Sequence, residues 1–221
     1  GRVDVWQVFP GATMPLRWNP LQIGANLNPE RQMVATCELI RNAGQMGPRQ
    51  LGFMRRALKA LYIEHGVLTA YREVLADRRW NVVLENEWDV INATRAEWSL
   101  PPRSPRGDLS LSDLEVFERQ VLAVHRSKAV DMTMWIGRLQ AMHGDMRTGT
   151  PDHTSLEGAL LRLEPFVEGE MERMYGRGEG TMAIEHLGLL GPEEDPWGIS
   201  ILEGGAEMDE FAKAVIFSLV A

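Results

Sequence analysis

Residues 197–221, WGISILEGGAEMDEFAKAVIFSLVA, carry the pattern that decides the expected fold. The apolar run at residues 199–202 lies between Gly198 and Gly204, so it predicts a buried strand that ends in a turn. A helix is predicted to follow, because apolar side chains recur there at helical spacing and acidic residues occupy the first turn. These apolar positions are Met208, Phe211, Ala212, Val215, Ile216 and Leu219. A strand followed by its covering helix is typical of an α/β domain, and with no stop signal at Ala221 we expect that domain to continue beyond these residues.

The opposite end of the chain carries a second predicted strand. Residues 3–9 (VDVWQVF) form a β-branched and aromatic run that ends at Pro10 and Gly11. At least five helices are predicted between the two strands. The expected fold is therefore α/β, a partial parallel sheet with a large, mostly α-helical insertion. Residues 1–27 and 197–221 are assigned to the sheet-containing core and residues 28–196 to the insertion, which has a Pro-rich linker at 99–110.

The first helices of the insertion have clear start and stop signals. Residues 28–30 (Asn-Pro-Glu) combine a cap, a proline at the first helical position and a first-turn acid, and Gly44 marks the predicted end. Pro48 predicts the start of a second helix and Gly66 its end. A further helix is predicted from residues that step by four and three: Leu84, Trp88, Ile91, Arg95 and Trp98.

The later helices are predicted from capping boxes. Residues 112–115 (SDLE) and 154–157 (TSLE) each match the box that begins with Ser or Thr and has Glu three positions on. Residues 128–131 are expected to break the first of these helices in two. Pro165 is expected to kink the second near Leu161.

Composition indicates an ordinary globular protein. The 221 residues are 44% hydrophobic and 24% charged, enough for one large domain or two small ones. The single cysteine, Cys37, excludes an internal disulfide framework and falls on an apolar helix face, which favours a reducing compartment, the cytoplasm. No run approaches the ~20 apolar residues that a membrane-spanning helix needs.

The net charge of -8 is unevenly distributed. Residues 1–80 hold 11 Lys and Arg against 6 Asp and Glu, a balance of +5, whereas residues 81–221 hold 12 against 25, a balance of -13. The basic part could bind nucleic acid or face the acidic part, and the mildness of the excess favours the second interpretation.

Two features of the sequence raise the question of a nucleotide site. Gly176, Gly178 and Gly180 suggest a phosphate-binding loop, but the chain has no Gly-Lys pair, so a flexible connection is the preferred interpretation. Glu203 follows the strand at 199–202 and would lie at its carboxyl end, where α/β proteins place ligand-facing groups and a Walker B carboxylate orders Mg²⁺. A solvated acid beside a turn is the simpler alternative for Glu203. Glu85, after residues 82–84, has similar but weaker support.

The remaining candidates are basic residues and histidines. Arg49, Arg55, Arg56 and Lys59 lie along the second helix as candidate contacts for nucleic acid or a neighbouring subunit, although such residues commonly only solvate a helix face. The histidines show no HExxH motif or paired spacing, so no metal site is predicted and surface or helix-end positions are preferred. They are His65, His125, His143, His153 and His186.

Taken in order, these segments resemble the ATPase domain of the HerA/FtsK superfamily, in particular its HerA-like and conjugation-ATPase branch. The similar segments are residues 17–21 (RWNPL), the capped helix at Asn28-Pro29, residues 60–62 (ALY) with Gly66, residues 111–114 (LSDL), residues 163–169 (LEPFVEG) and residues 199–205 (ISILEGG). In that family this stretch lies between the Walker A and Walker B strands. Many relatives have Asp where this chain has Glu203.

The resemblance implies a RecA-like core and the central part of an ATP-driven DNA translocase or helicase motor. ATP and Mg²⁺ would serve the parent protein, which is expected to work as a homo-oligomeric ring, a hexamer, on DNA in conjugation, DNA processing or defence. The family's Walker residues cannot be assigned to any position here, so this chain alone is expected to bind no cofactor and hydrolyse no ATP. The alternatives are a helical protein-interaction module without nucleotide chemistry and, less favoured, a stand-alone metal or hydrolytic enzyme.

Overall fold

A computed structural model describes residues 3–7, 19–24, 27–104, 109–168, 172, 175 and 199–203. Most of the described chain is helical. Eight α-helices have both ends within the described residues: α1 (Pro29–Ala43), α2 (Pro48–Glu64), α3 (Arg72–Ala76), α4 (Arg78–Asn81), α5 (Glu85–Glu97), α6 (Val116–Ser127), α7 (Met132–Gly144) and α8 (Pro151–Leu163). Two short 3₁₀ helices, Leu111–Asp113 and Glu164–Val167, precede α6 and follow α8.

Two strands from opposite ends of the chain pair with each other. β1 (Val3–Gln7) and β2 (Ile199–Glu203) are parallel, with Val3 opposite Ile199 and Gln7 opposite Glu203. This is the pairing expected from the two apolar runs. Parallel neighbours need a long crossover connection, and here α1 to α8 all lie in the described part of that connection.

The predicted α/β fold class is wrong, because 69% of the interpretable structure is helical. Two short strands do not make the layered sheet that defines an α/β domain. Residues 82–84, the other apolar run before an acid, form no strand: Val82 makes one isolated antiparallel bridge to Ser110, and Leu84 caps α5. The predicted terminal helix at 208–219 and the glycine loop at 176–180 lie outside the described residues. The division into 1–27, 28–196 and 197–221 stays a prediction.

The main hydrophobic core lies among α1, α2, α7 and α8. Trp135, Tyr62 and Phe53 are among its largest fully buried side chains, and the Trp135 indole donates to the Met54 carbonyl at 3.1 Å. A second core joins α5, α6 and the 3₁₀ turn between them. Its members are Val74, Val83, Trp88, Ile91, Leu111, Leu114 and Leu122.

The segment at residues 19–24 is fixed against the connection between α6 and α7. The Asn19 side chain donates to the Val130 carbonyl at 2.6 Å, and the Ile23 N–H donates to the Ser127 hydroxyl at 2.9 Å. The buried Tyr62 hydroxyl donates to the Leu21 carbonyl. These contacts fix this irregular segment against α2 and the connection between α6 and α7.

The predicted boundaries of the first two helices are confirmed. The Asn28 side chain accepts from the Arg31 N–H at 3.0 Å, and α1 gives way to Gly44 at its cap. α2 begins at Pro48, and Gly66 adopts a left-handed φ of +65° just after its end. The predicted break at 128–131 is also confirmed, because Asp131 caps α7 by accepting from the Met134 N–H at 2.9 Å.

Both predicted capping boxes are wrong by three or four positions. α6 begins at Val116 with Glu115 as its cap, because the buried Glu118 accepts from the Glu115 N–H at 2.8 Å. α8 begins at Pro151 with Thr150 as its cap, since a proline fits the first helical position and Thr150 is placed to cap it. Pro165 was expected to kink α8 near Leu161. The helix instead ends at Leu163 and continues into the 3₁₀ helix Glu164–Val167.

Candidate functional site

Glu203 is the last residue of β2 and lies opposite Gln7 of β1. Because the strands are parallel, both residues lie at the carboxyl edge of the pair, as predicted for Glu203. Glu85 does not share this setting, because it is the exposed first residue of α5.

The four basic residues of α2 each contact a different neighbour. Arg49 pairs with Asp152 of α8 at 3.5 Å, and Arg55 pairs with Glu38 of α1. The Arg56 guanidinium lies 4.7 Å from the centre of the Phe53 ring, and the Lys59 ammonium lies 4.6 Å from the centre of the Tyr71 ring. The four side chains therefore do not converge on one common binding site. Arg49, Arg56 and Lys59 are nevertheless exposed, so their charges face solvent.

A buried ion pair that sequence reasoning missed joins α5 to α6. Arg126 donates from Nε to Glu87 Oε1 at 2.6 Å and from Nη2 to Oε2 at 2.9 Å. The same guanidinium donates from Nη1 to the carbonyls of Gly66 and Trp80 at 3.2 and 2.9 Å. Both charged residues are almost fully buried. The ion pair is therefore bidentate and shielded from water, and charge-assisted hydrogen bonds of this type are stronger than neutral ones.

A second buried carboxylate, Glu118 of α6, binds two arginines. Arg95 and Arg103 each donate to Glu118 Oε1 at 2.6 Å. Burial by itself raises the pKa of Glu118, but the hydrogen bonds from Arg103, the Glu115 N–H and Arg95 outweigh it and hold the pKa below its ordinary value. One signal was present in the sequence, since Arg95 occupies a position on the apolar face of its helix.

The first half of the Pro-rich segment is held in place by these contacts. The Arg103 N–H donates to the Asn92 side chain at 2.8 Å, and the Asn92 amide donates back to the Arg103 carbonyl at 3.1 Å. With its side chain on Glu118, Arg103 therefore anchors residues 99–104 to both α5 and α6.

A groove of about 160 Å³ lies between the starts of α1 and α6 and the turn before α3. Pro29, Leu68, Tyr71 and Val116 form its apolar lining, and Val116 is 72% exposed. The Tyr71 hydroxyl donates to Glu30 at 2.6 Å, and this hydrogen bond, together with partial burial, raises the pKa of Tyr71 to about 12. The groove thus has an apolar floor with one fixed polar pair at its side.

The structure also brings together two histidines that are ten residues apart. His143 lies in the last turn of α7 and His153 in the first turn of α8, and their ring centroids are 4.0 Å apart. Glu157 completes a cluster of three possible metal ligands. Both histidines occupy helix ends, as the sequence suggested. Their proximity depends on the turn at 145–150, which no spacing motif reveals.

Comparison of the chain with family models, with curated proteins and with solved structures finds no match. Among the residues that the structure describes, no helix combines the length and the apolar character needed to cross a bilayer.

Proposed function

We propose that this chain is the central part of an ATP-driven DNA translocase or helicase motor similar to the HerA/FtsK superfamily. The observation that carries the proposal is the parallel pairing of β1 with β2 across a long connection that includes α1 to α8. In the family that the sequence resembles, the similar stretch lies between the Walker A and Walker B strands. Two strands separated by a long helical connection are what the resemblance predicts for that stretch.

The described residues do not themselves fit ATP. The sequence contains no Gly-Lys pair. None of the described helices therefore follows the glycine-rich loop with a lysine that binds a triphosphate. We therefore assign the phosphate contacts of the motor to residues other than these. Among the described residues, one carboxylate is a candidate for a role in ATP hydrolysis.

That carboxylate is Glu203. The carboxyl edge of parallel strands is where such proteins bind ligands, and Glu203 lies at this edge beside Gln7. A carboxylate there can order a metal-bound water or sense the bound nucleotide. Arg49, Arg56 and Lys59 present positive charge from α2 and are proposed to contact DNA or the adjacent subunit of the ring.

The test uses the product of the complete gene that encodes these residues. ATP turnover is measured with and without duplex DNA for the wild type, Glu203→Gln and Glu85→Gln. DNA is expected to stimulate the wild type, and Glu203→Gln to lower kcat by about 10²-fold or more, the range for a group that acts on a proton in the transition state. Glu85→Gln is the matched control and should hydrolyse ATP at the wild-type rate.

Two results would contradict the proposal. A folded wild-type protein that hydrolyses no ATP would remove the motor function. Equal rates for Glu203→Gln and Glu85→Gln would remove the role of Glu203.

The groove favours a second candidate, a helical interaction module whose partner is another copy of the chain. Val116 at the rim of the groove is 72% exposed, and Leu27 nearby, whose carbonyl accepts from Gln120, is 52% exposed. Val116→Asp is expected to shift the chain toward monomer in sedimentation. Leu161→Asp changes an equally exposed residue, 69%, on α8 and should not. Identical sedimentation of both variants and the wild type would exclude this surface.

A further inference from the structure

Three metal-ligating side chains converge where the hairpin of α7 and α8 turns. The ligand atoms of His143, His153 and Glu157 all lie within 4.8 Å of one another. His153 and Glu157 are four residues apart on one face of α8, and His143 faces them from the end of α7. We infer that these three side chains form a binding site for a divalent transition-metal ion, with Zn²⁺ as the best fit.

The first reason is the state of His143. Its Nε2 atom is buried and has no hydrogen-bond partner among the described residues. Buried polar atoms in native proteins are nearly always paired, so this unpartnered imidazole nitrogen is available to bind an ion. The ring contact with His153 does not satisfy it, because the hydrogen-bonding direction of an imidazole nitrogen lies in the plane of its own ring.

The second reason is the donor set. Two imidazole nitrogens and one carboxylate oxygen are ligands that Zn²⁺ accepts in a tetrahedral site with water at the open position. Calcium and magnesium prefer oxygen donors, so two imidazole nitrogens fit them less well than they fit Zn²⁺. Donors around a tetrahedral ion with bonds of about 2.1 Å lie roughly 3.4 Å apart. Glu157 is exposed, so rotation of its side chain can close the remaining distance.

The third reason is that the backbone of the site is already held. The Thr150 hydroxyl accepts from the His153 N–H at 3.2 Å, and Arg49 of α2 pairs with Asp152 at 3.5 Å. Buried Leu139 and Leu156 belong to the core that joins α7 to α8. The core thus places both histidines before any ion binds. Binding would then pin the end of α7 to the start of α8.

The test measures Zn²⁺ binding to the full 221-residue chain after treatment with a chelator. Calorimetry with ZnCl₂ is expected to show one ion per chain, and Co²⁺ should give the visible bands of a four- or five-coordinate ion. Glu157→Gln changes an exposed side chain, so it should fold normally while Zn²⁺ affinity falls by more than about 100-fold, at least the loss caused by removing an outer-shell partner. His153→Gln is expected to give a loss of the same order.

Asp145→Asn is the matched control, because Asp145 is an exposed carboxylate in the same turn but outside the cluster. It should bind Zn²⁺ as tightly as the wild type. Far-UV circular dichroism establishes that each variant is folded. The inference is overturned if the folded wild type binds no Zn²⁺, or if Glu157→Gln binds it as tightly as Asp145→Asn.

Discussion

Removing the buried guanidinium of Arg126 is expected to be among the most destabilising single changes in the helical part of the protein. Arg126→Met leaves the Glu87 carboxylate buried without its two charge-assisted hydrogen bonds. It also removes the donor to the carbonyls of Gly66 and Trp80. Breaking one side of a buried pair is destabilising by about 3–5 kcal/mol, so we expect the free energy of unfolding to fall by that amount.

The double variant Glu87→Leu/Arg126→Met separates the charge from the other hydrogen bonds. It leaves no unpaired charge, and replacing a whole buried pair by apolar residues is often neutral or stabilising. Here the carbonyls of Gly66 and Trp80 lose their donor, and the Leu84 N–H loses the Glu87 acceptor that it reaches at 2.9 Å. A buried polar group left unpaired is destabilising by about 1–3 kcal/mol, so the double variant should still be destabilised by roughly 2 kcal/mol or more. It should nevertheless be more stable than Arg126→Met alone.

The assay is urea-induced unfolding followed by far-UV circular dichroism. Arg49→Met is the matched control, since Arg49 makes an ion pair in which both side chains are more than half exposed. Exposed pairs contribute about 0–1 kcal/mol, so the control should unfold close to the wild type. An Arg126→Met variant that unfolds within about 0.5 kcal/mol of the Arg49→Met variant would refute the role assigned to the buried pair.

Three further predictions concern a thiol, a pH dependence and a glycine. Burial raises the pKa of Cys37 to about 12. A thiol reagent at mildly alkaline pH should therefore modify Cys37 in urea and leave it unmodified in the native protein. Equal modification rates in the native and urea-unfolded protein would contradict its burial. Since the folded state lowers the pKa of Glu118, its stabilising contribution is fully present above the ordinary value of 4.5 and is lost as the pH falls through the lowered pKa. Unfolding midpoints measured across that acidic range should therefore depend less on pH in Glu118→Gln, and an unchanged slope would contradict the ion network. Gly66→Ala should be destabilising by more than about 1 kcal/mol, because φ is +65° and an added Cβ would lie 2.8 Å from the Trp80 ring. Gly137→Ala lies inside α7, where an added Cβ would have no neighbour within 4 Å, so it should be stabilising. Thermal melts of the two variants and the wild type measure both effects.

Features that depend on a few neighbouring residues could be predicted from the sequence. The start of α1 is determined by the Asn28 side chain and Pro29, and the end of α2 by the left-handed φ of Gly66. Burial of Cys37 followed from helical periodicity alone. The existence of the two end strands also followed, because each is a short apolar run bounded by turn residues. Each of these signals lies within one turn of helix or one strand.

Features that depend on packing between distant segments could not be predicted. The two apolar runs predicted a sheet, but the sequence of a strand does not determine how many other strands pair with it. Residues 82–84, a third apolar run, form an irregular segment before α5. The partner of Arg126 is 39 residues away, so no local pattern identifies it. The approach of His143 to His153 depends on the angle of the turn between α7 and α8. The capping box at 112–115 failed for a related reason, since Glu118, which accepts from the Glu115 N–H at the start of α6, is bound by Arg95 and Arg103.

The motor proposal is tested most directly by translocation itself. The product of the complete gene that encodes these residues is incubated with duplex DNA carrying a triplex-forming oligonucleotide, whose displacement is followed by fluorescence. The proposal predicts displacement with ATP, none with a non-hydrolysable analogue, and its loss in Glu203→Gln but not in Glu85→Gln. A folded wild-type protein that displaces no oligonucleotide at saturating ATP would contradict it.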